Sequence, residues 1–120
     1  MTTLPAPIVE RRPGASVGIV TMGSCDPAVR EAVSELANRG VECDLMRVRG
    51  FPFVDEVRDF VESHRQCFVV EMNRDAQLRT LISTETGVPP ASMTPLLVYG
   101  GFPLSARHLV DGVLAHLESH

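Results

Sequence analysis

Four apolar segments that favour strands alternate with four amphipathic segments that favour helices, beginning at Ser16. The first unit shows the pattern most clearly: residues 17–22 are almost all apolar, and apolar residues at helical spacing follow from Ala28 to Ala37. An uninterrupted apolar run of this kind is typical of a strand buried on both faces. Strands and helices that alternate through short turns form right-handed crossovers and a mainly parallel sheet. The sequence therefore predicts a three-layer α/β fold with helices on both faces of the sheet.

The later units follow the same order with weaker signals. Strands are predicted within residues 41–48, 67–70 and 96–99, and helices within 53–61, 78–82 and 105–117. Apolar and polar side chains alternate through 41–48, which predicts a strand that is more solvated on one face. Asp26 and Ser105 are predicted to cap the first and last helices.

One domain is predicted, covering residues 16–120. The chain length of 120 residues lies near the commonest size of a single domain. Residues 1–15 contain three prolines and a glycine around the apolar pair Ile8–Val9. Proline is confined to linkers, turns and sheet edges, so this segment is interpreted as a linker or an edge strand.

Charge and composition exclude several classes of function. All 11 basic residues are arginine, so the chain has no lysine for a Schiff base or for a Walker motif. A formal net charge of −4, without a basic stretch and without tryptophan, argues against a nucleic-acid or anionic-membrane partner. No apolar run reaches the roughly 18 residues of a membrane span. Three widely spaced cysteines are typical of reduced thiols, and the sequence predicts a soluble cytoplasmic protein.

Polar and glycine residues follow the predicted strands, at the edge where α/β sheets bind ligands or partners. These candidate site residues are Gly23, Ser24, Glu71, Asn73, Gln77 and Gly101. The side chains of Glu71, Asn73 and Gln77 can form a hydrogen-bond network to a partner or a ligand. A solvated helix start is the alternative interpretation of these three residues.

Other chemistry-bearing residues give weaker signals. The turn Gly23–Asp26 opens a helix and could bind phosphate, but it has neither Walker nor dinucleotide spacing. Cys25 and Arg30 are one residue too close for the phosphate loop of cysteine phosphatases, which disfavours a catalytic Cys25. His116 and His120 are four residues apart, but His120 is terminal, and no metal site is predicted. His64 ends a predicted helix, where an imidazolium interacts favourably with the helix dipole.

Four short motifs at the ends of predicted strands resemble a known family. They are TMGS at 21–24, GFP at 50–52, VVEMNRDAQL at 69–78 and YGGFP at 99–103. In this order they resemble the C-terminal domain of the alpha subunit of 2-oxoacid:ferredoxin oxidoreductases, most of all the 2-oxoglutarate type. The resemblance covers about residues 16–117. Met22 and Ala76 depart from it, because the family usually has an aromatic residue and a glycine at these positions.

The resemblance implies a fold of the transketolase C-terminal type, with a mixed sheet of five strands of which one is antiparallel. Ile8–Val9 is a candidate for that fifth strand. The family oxidatively decarboxylates a 2-oxo acid to an acyl-CoA, using thiamine pyrophosphate, Mg²⁺ and coenzyme A, and passes electrons through iron–sulfur clusters to ferredoxin. The residues that hold these cofactors lie in other domains or subunits, so none is expected in this domain.

An interface role follows from the same resemblance. The domain is expected to carry no catalytic residue and to contact the remaining alpha-subunit domains and the beta subunit, with Glu71, Asn73 and Gln77 facing a neighbour. The chain then corresponds to one domain of a longer alpha subunit. Two alternatives stay open: the equivalent domain of a transketolase or 2-oxoacid dehydrogenase beta subunit, and a free-standing α/β domain that binds phosphate or another small molecule.

Overall fold

The computed structural model describes residues 8–22, 26–48, 55–71, 77–97 and 106–118. The strands are β1 (Ile8–Glu10), β2 (Val17–Met22), β3 (Cys43–Val48), β4 (Gln66–Glu71) and β5 (Thr94–Leu97). The helices are α1 (Asp26–Asn38), α2 (Asp55–Ser63), α3 (Gln77–Thr86) and α4 (Ala106–Glu118), and a 3-10 helix covers Pro90–Ser92. The order of strands and helices is the predicted one.

The five strands form one mixed sheet in the order β1-β3-β2-β4-β5. Strands β2 to β5 are parallel to one another. Strand β1 runs antiparallel to β3, with Ile8 opposite Arg47 and Glu10 opposite Leu45. The predicted α/β fold with a mainly parallel, five-stranded mixed sheet is confirmed, and Ile8–Val9 lies in the antiparallel strand.

Helices cover both faces of the sheet and divide the core into two layers. Ile19 and Phe68 pack with α1 and α4 on one face, in a cluster of buried side chains that includes Leu36. Their neighbours along the strands point to the opposite face, where Val20 packs with α2 and α3. This alternation of adjacent residues between faces is the geometry of a strand, and it explains why the continuous apolar runs are buried on both sides.

Strand β3 is buried on both faces, so the prediction that one face is more solvated was wrong. Asp44 is only 5% exposed and Met46 1% exposed, although both lie on the face predicted to be wetter. Helix α2 packs over this face, and Met46 belongs to the same apolar cluster as Phe60 of α2. A buried carboxylate is tolerated at Asp44 because the side chain has hydrogen-bond partners.

Element boundaries differ from the predictions by a few residues. Strand β5 begins at Thr94, two residues before the predicted start, and β3 begins at Cys43. Asp26, predicted as the cap of α1, is the first residue of that helix. The predicted cap Ser105 lies outside the described residues. In the part of the chain that the structure describes, no helix has the length and apolar character needed to cross a membrane.

Candidate functional site

The carboxyl ends of β2 to β5 lie at one edge of the sheet, because these strands are parallel. We call this edge the carboxyl edge. Of the predicted site residues, Gly23, Ser24, Asn73 and Gly101 lie outside the described residues. Gln77 is the first residue of α3, and Glu71 is the last residue of β4.

Glu71 joins the end of β4 to the start of α3. Its side chain is in the core, since the residue is only 2% exposed. Oε1 accepts a hydrogen bond from the backbone N–H of Leu78 at 2.9 Å, and Oε2 accepts one from the N–H of Arg79 at 2.7 Å. Backbone N–H groups in the first turn of a helix have no partner within the helix, and a carboxylate there also meets the positive end of the helix dipole. Glu71 therefore caps α3 from the neighbouring strand.

Because Glu71 caps α3, both of its carboxylate oxygens are already engaged at the carboxyl edge. Both carboxylate oxygens bind backbone groups of the domain itself, so the N-terminus of α3 is already occupied by an anion. Through these bonds Glu71 also joins the end of β4 to the first turn of α3. Contact between a neighbouring domain and Glu71, Asn73 or Gln77 stays a prediction.

A second polar cluster lies near the amino ends of the parallel strands, opposite the carboxyl edge. This cluster was not predicted from the sequence. Nε2 of His64 lies 2.8 Å from Oδ2 of Asp44, and Nδ1 of His64 lies 2.6 Å from the carbonyl oxygen of Phe60. The backbone N–H of Arg12 donates to Oδ1 of Asp44 at 2.7 Å. The side chains of His64 and Asp44 are 2% and 8% exposed. Through these hydrogen bonds Asp44 connects the start of β3 to the segment before β2 and to the C-terminal end of α2.

The two ring nitrogens of His64 face oxygens on two different elements, the carbonyl of Phe60 in α2 and the carboxylate of Asp44 in β3. His64 follows Ser63, the last residue of α2, and lies at the C-terminus of that helix. The ring also packs against Gly18, where an added Cβ would lie 2.9 Å from Cγ and from Nδ1 of His64. No sequence signal linked Asp44 to His64, because they are 20 residues apart and Asp44 was expected to face solvent.

Ser63, His64 and Asp44 have the residue types of a hydrolytic triad but not its arrangement. Ser63 Oγ lies 3.4 Å from Nδ1 of His64, whereas the same hydroxyl donates to the Phe60 carbonyl at 3.1 Å. Nδ1 is directed at that carbonyl as well, at 2.6 Å. A nucleophilic serine needs a histidine nitrogen that accepts its proton. The cluster is therefore structural.

Two cysteines are buried thiols. Burial raises the pKa of Cys67 from 9.0 to about 12. Burial, followed by the nearby charge of Glu42, also raises the pKa of Cys43 to about 12. Neither sulfur is a thiolate near neutral pH, and the thiolate is the form that attacks electrophiles or binds metals. Cys25 lies outside the described residues.

We expect Cys43 and Cys67 to resist alkylation in the native chain. Iodoacetamide at pH 8, followed by mass spectrometry, should modify them only after unfolding in urea. The unfolded chain loses both thiol protons near pH 9, while the folded chain keeps them to about pH 12. The free energy of unfolding should therefore fall as the pH rises through this window. Equal modification rates in the native and unfolded chains would contradict these assignments.

The described residues do not offer a metal or cluster site. Within the five described ranges, no group of three or more His, Cys, Asp or Glu is placed to hold a metal ion. Cys43 and Cys67, the two cysteines in those ranges, are neutral thiols inside the core. An iron–sulfur cluster requires thiolates, usually four of them. These residues do not fit the metal groups that the family resemblance implies for a whole enzyme.

No family model matches the chain. The chain is similar to two longer proteins, and it spans 16% of the length of each. It is 28% identical over 106 residues, 87% of its length, to the 2-oxoacid:ferredoxin oxidoreductase subunit alpha of Saccharolobus solfataricus. It is 30% identical over 107 residues, 88% of its length, to 2-oxoacid:ferredoxin oxidoreductase 2, subunit alpha, of Aeropyrum pernix.

Solved structures share the fold. The 2-oxoglutarate:ferredoxin oxidoreductase from Magnetococcus marinus, solved with 2-oxoglutarate, coenzyme A and succinyl-CoA bound, matches with a TM-score of 0.80 and 29% identity. That match covers 95% of this chain and 20% of the other. A split-gene transketolase, an inactive beta4 tetramer, matches with a TM-score of 0.70 and 19% identity over 93% of this chain and 41% of the other.

Proposed function

We propose that this chain, which is homologous to the alpha subunits of 2-oxoacid:ferredoxin oxidoreductases, is a non-catalytic structural and interface domain of such an enzyme, of the 2-oxoglutarate type. The predicted family resemblance and the transketolase C-terminal type of fold are confirmed by the similar proteins. One observation carries the proposal: nearly the whole chain matches a small part of much larger proteins, with 29% identity and a TM-score of 0.80 for the 2-oxoglutarate enzyme. We therefore propose that the chain functions only as part of a larger enzyme.

The whole enzyme is proposed to decarboxylate a 2-oxo acid oxidatively to an acyl-CoA and to reduce ferredoxin in the cytoplasm. Thiamine pyrophosphate, Mg²⁺ and iron–sulfur clusters supply that chemistry from other domains or subunits. The buried neutral thiols of Cys43 and Cys67 support this division, since they are unsuited to ligate a cluster. The hydrogen bonds of Glu71 also support this division. Both of its oxygens bind backbone amides, so the carboxylate serves as a helix cap.

The carboxyl edge is proposed as the surface that contacts the rest of the enzyme. All four parallel strands end there, and β1 starts there, since Ile8 lies opposite Arg47 near the end of β3. Gly23, Ser24, Asn73, Gln77 and Gly101 are proposed to make the direct contacts. Glu71 supports them by joining the end of β4 to the first turn of α3.

The two alternatives have less support. The transketolase match is 19% identical, which supports the shared fold alone. For a free-standing phosphate-binding domain, the N-terminus of α3 is unsuitable because Glu71 occupies it. The other candidate phosphate site is the turn Gly23–Asp26, of which residues 23–25 lie outside the described residues.

The isolated 120-residue chain tests the non-catalytic assignment. We expect it to show no 2-oxoacid decarboxylation and no heat of thiamine pyrophosphate binding in calorimetry, with Mg²⁺ present in both experiments. Micromolar binding of thiamine pyrophosphate, or measurable release of CO₂ from 2-oxoglutarate, would overturn the proposal.

A further inference from the structure

The segment before β2 is attached to the rest of the domain mainly by polar contacts. We call residues 8–12 the N-terminal strap. Its first three residues form β1, which pairs with β3 at one edge of the sheet. Residues 9–16 are all half-buried or exposed, and Val9 packs against one of the two apolar clusters of the core. A segment with so few buried apolar contacts opens locally at a lower free energy than the whole domain unfolds.

Three consecutive charged residues of the strap each form an ion pair with a different residue of the domain. The pairs are Glu10–Arg30 at 2.9 Å, Arg11–Asp44 at 3.6 Å and Arg12–Glu42 at 3.7 Å. The strap side chains in these pairs are 38% to 63% exposed. Salt weakens ion pairs between exposed side chains, since the Debye length falls from about 30 Å at 0.01 M to about 3 Å at 1 M. The attachment of the strap therefore depends on ionic strength.

The strap forms one wall of a small cavity beside a buried thiol. The cavity has a volume of about 140 Å³, and its lining includes Glu10 and Arg12 of the strap, Val33 and Ser34 of α1, and Cys43 at the start of β3. Cys43 is 1% exposed, and burial is the main reason why its pKa is raised to about 12. When the strap leaves, the cavity opens to solvent and the thiol is uncovered.

We propose that the N-terminal strap opens as a unit while the rest of the domain stays folded, and that its ion pairs control access to the Cys43 thiol. The distribution of contacts supports this device, because charges hold the strap whereas two buried apolar clusters hold the remaining sheet and helices. Cys67 provides the contrast. It lies on the interior strand β4 and packs in the cluster with α2 and α3, so opening of the strap leaves it buried. The inference concerns the chain itself and does not depend on the proposed function.

The test measures how fast iodoacetamide alkylates Cys43 and Cys67 in the folded 120-residue chain at pH 8, with mass spectrometry of the separate peptides. Raising NaCl from about 0.02 M to about 1 M should accelerate Cys43 at least about threefold and change Cys67 less than about twofold. Because iodoacetamide is uncharged, salt acts on the ion pairs rather than on the reagent. Both rates should remain far below those of the unfolded chain in urea.

Charge variants separate the ion pairs from a general effect of salt. Glu10→Arg places a second cation beside Arg30 and should accelerate Cys43 at least about threefold at low salt. The double variant Glu10→Arg with Arg30→Glu exchanges the two charges and should return the rate to within about twofold of the wild type. Glu35→Arg is the matched control, because Glu35 is equally exposed, pairs with Arg39 at 3.2 Å within α1 and does not line the cavity. It should leave the Cys43 rate unchanged.

Each result decides the inference. A Cys43 rate that is independent of salt, or that is unchanged in Glu10→Arg, overturns it. Equal acceleration of Cys43 and Cys67 overturns it as well, because the whole domain then opens. The same holds if Glu35→Arg accelerates Cys43 as much as Glu10→Arg does, or if the exchanged pair stays as fast as Glu10→Arg.

Discussion

Replacing Asp44 with alanine is expected to destabilise the folded chain by about 2–5 kcal/mol, because each buried hydrogen-bond donor left without its acceptor costs about 1–3 kcal/mol. The substitution leaves His64 Nε2, which lies 2.8 Å from Oδ2, without its acceptor. It also leaves the backbone N–H of Arg12 without the Oδ1 that it contacts at 2.7 Å. Because a typical domain is stable by only about 5–15 kcal/mol, a loss of this size should be visible as a large shift in the urea midpoint.

Glu42→Ala is the matched control, since Glu42 is also an acid beside Arg12 and precedes β3. Its carboxylate lies 3.7 Å from Nη1 of Arg12, and the two side chains are 40% and 38% exposed. An exposed pair of this kind contributes at most about 1 kcal/mol, so this variant should unfold close to the wild type. If Asp44→Ala and Glu42→Ala cost the same, the Asp44–His64 pair does not hold the three segments together.

Replacing Glu71 with glutamine is expected to cost about 2–3 kcal/mol. Hydrogen bonds to a charged group contribute about 1.5–3 kcal/mol, and a lost helix cap costs about 0.5–2 kcal/mol. Glutamine retains one side-chain oxygen but presents an NH₂ group to the second backbone donor, so one of the bonds from Leu78 and Arg79 is lost. The loss of the negative charge also removes its interaction with the dipole of α3.

Hydrogen exchange locates this effect, because the amide protons of Leu78 and Arg79 should exchange faster in Glu71→Gln than in the wild type. Glu85→Gln, an exposed substitution in the same helix, is the control and should change neither exchange nor stability. Unchanged protection of both amides in Glu71→Gln would show that the carboxylate does not cap α3.

The clearest strand predictions came from apolar runs, and the structure confirms them together with the elements that had weaker signals. Residues 17–22 are almost all apolar and residues 67–70 are all apolar, and they lie in β2 and β4, two interior strands whose faces are both covered by helices. Ile8–Val9 carried little signal of its own, and the family resemblance, rather than periodicity, suggested its place as the antiparallel strand.

The polar contacts were harder to predict, for physical reasons. Asp44 was expected to face solvent because its neighbours alternate in polarity, and only the packing of α2 over β3 buries it beside His64. Glu71 was placed at the correct strand end, but its role as a cap depends on the distance between β4 and α3. A helix cap normally lies next to its helix in sequence, and this carboxylate is six residues before Gln77.

Reconstitution of the enzyme from its separate polypeptides tests whether this chain is an interface domain. The purified remaining polypeptides of the enzyme, lacking this domain, would be assayed for 2-oxoglutarate-dependent reduction of ferredoxin with coenzyme A, with and without the 120-residue chain. We expect activity only when the wild-type chain is added, and we expect the chain to coelute with the other polypeptides in size-exclusion chromatography. Full activity without the chain, or no association with it, would contradict its assignment as an interface domain.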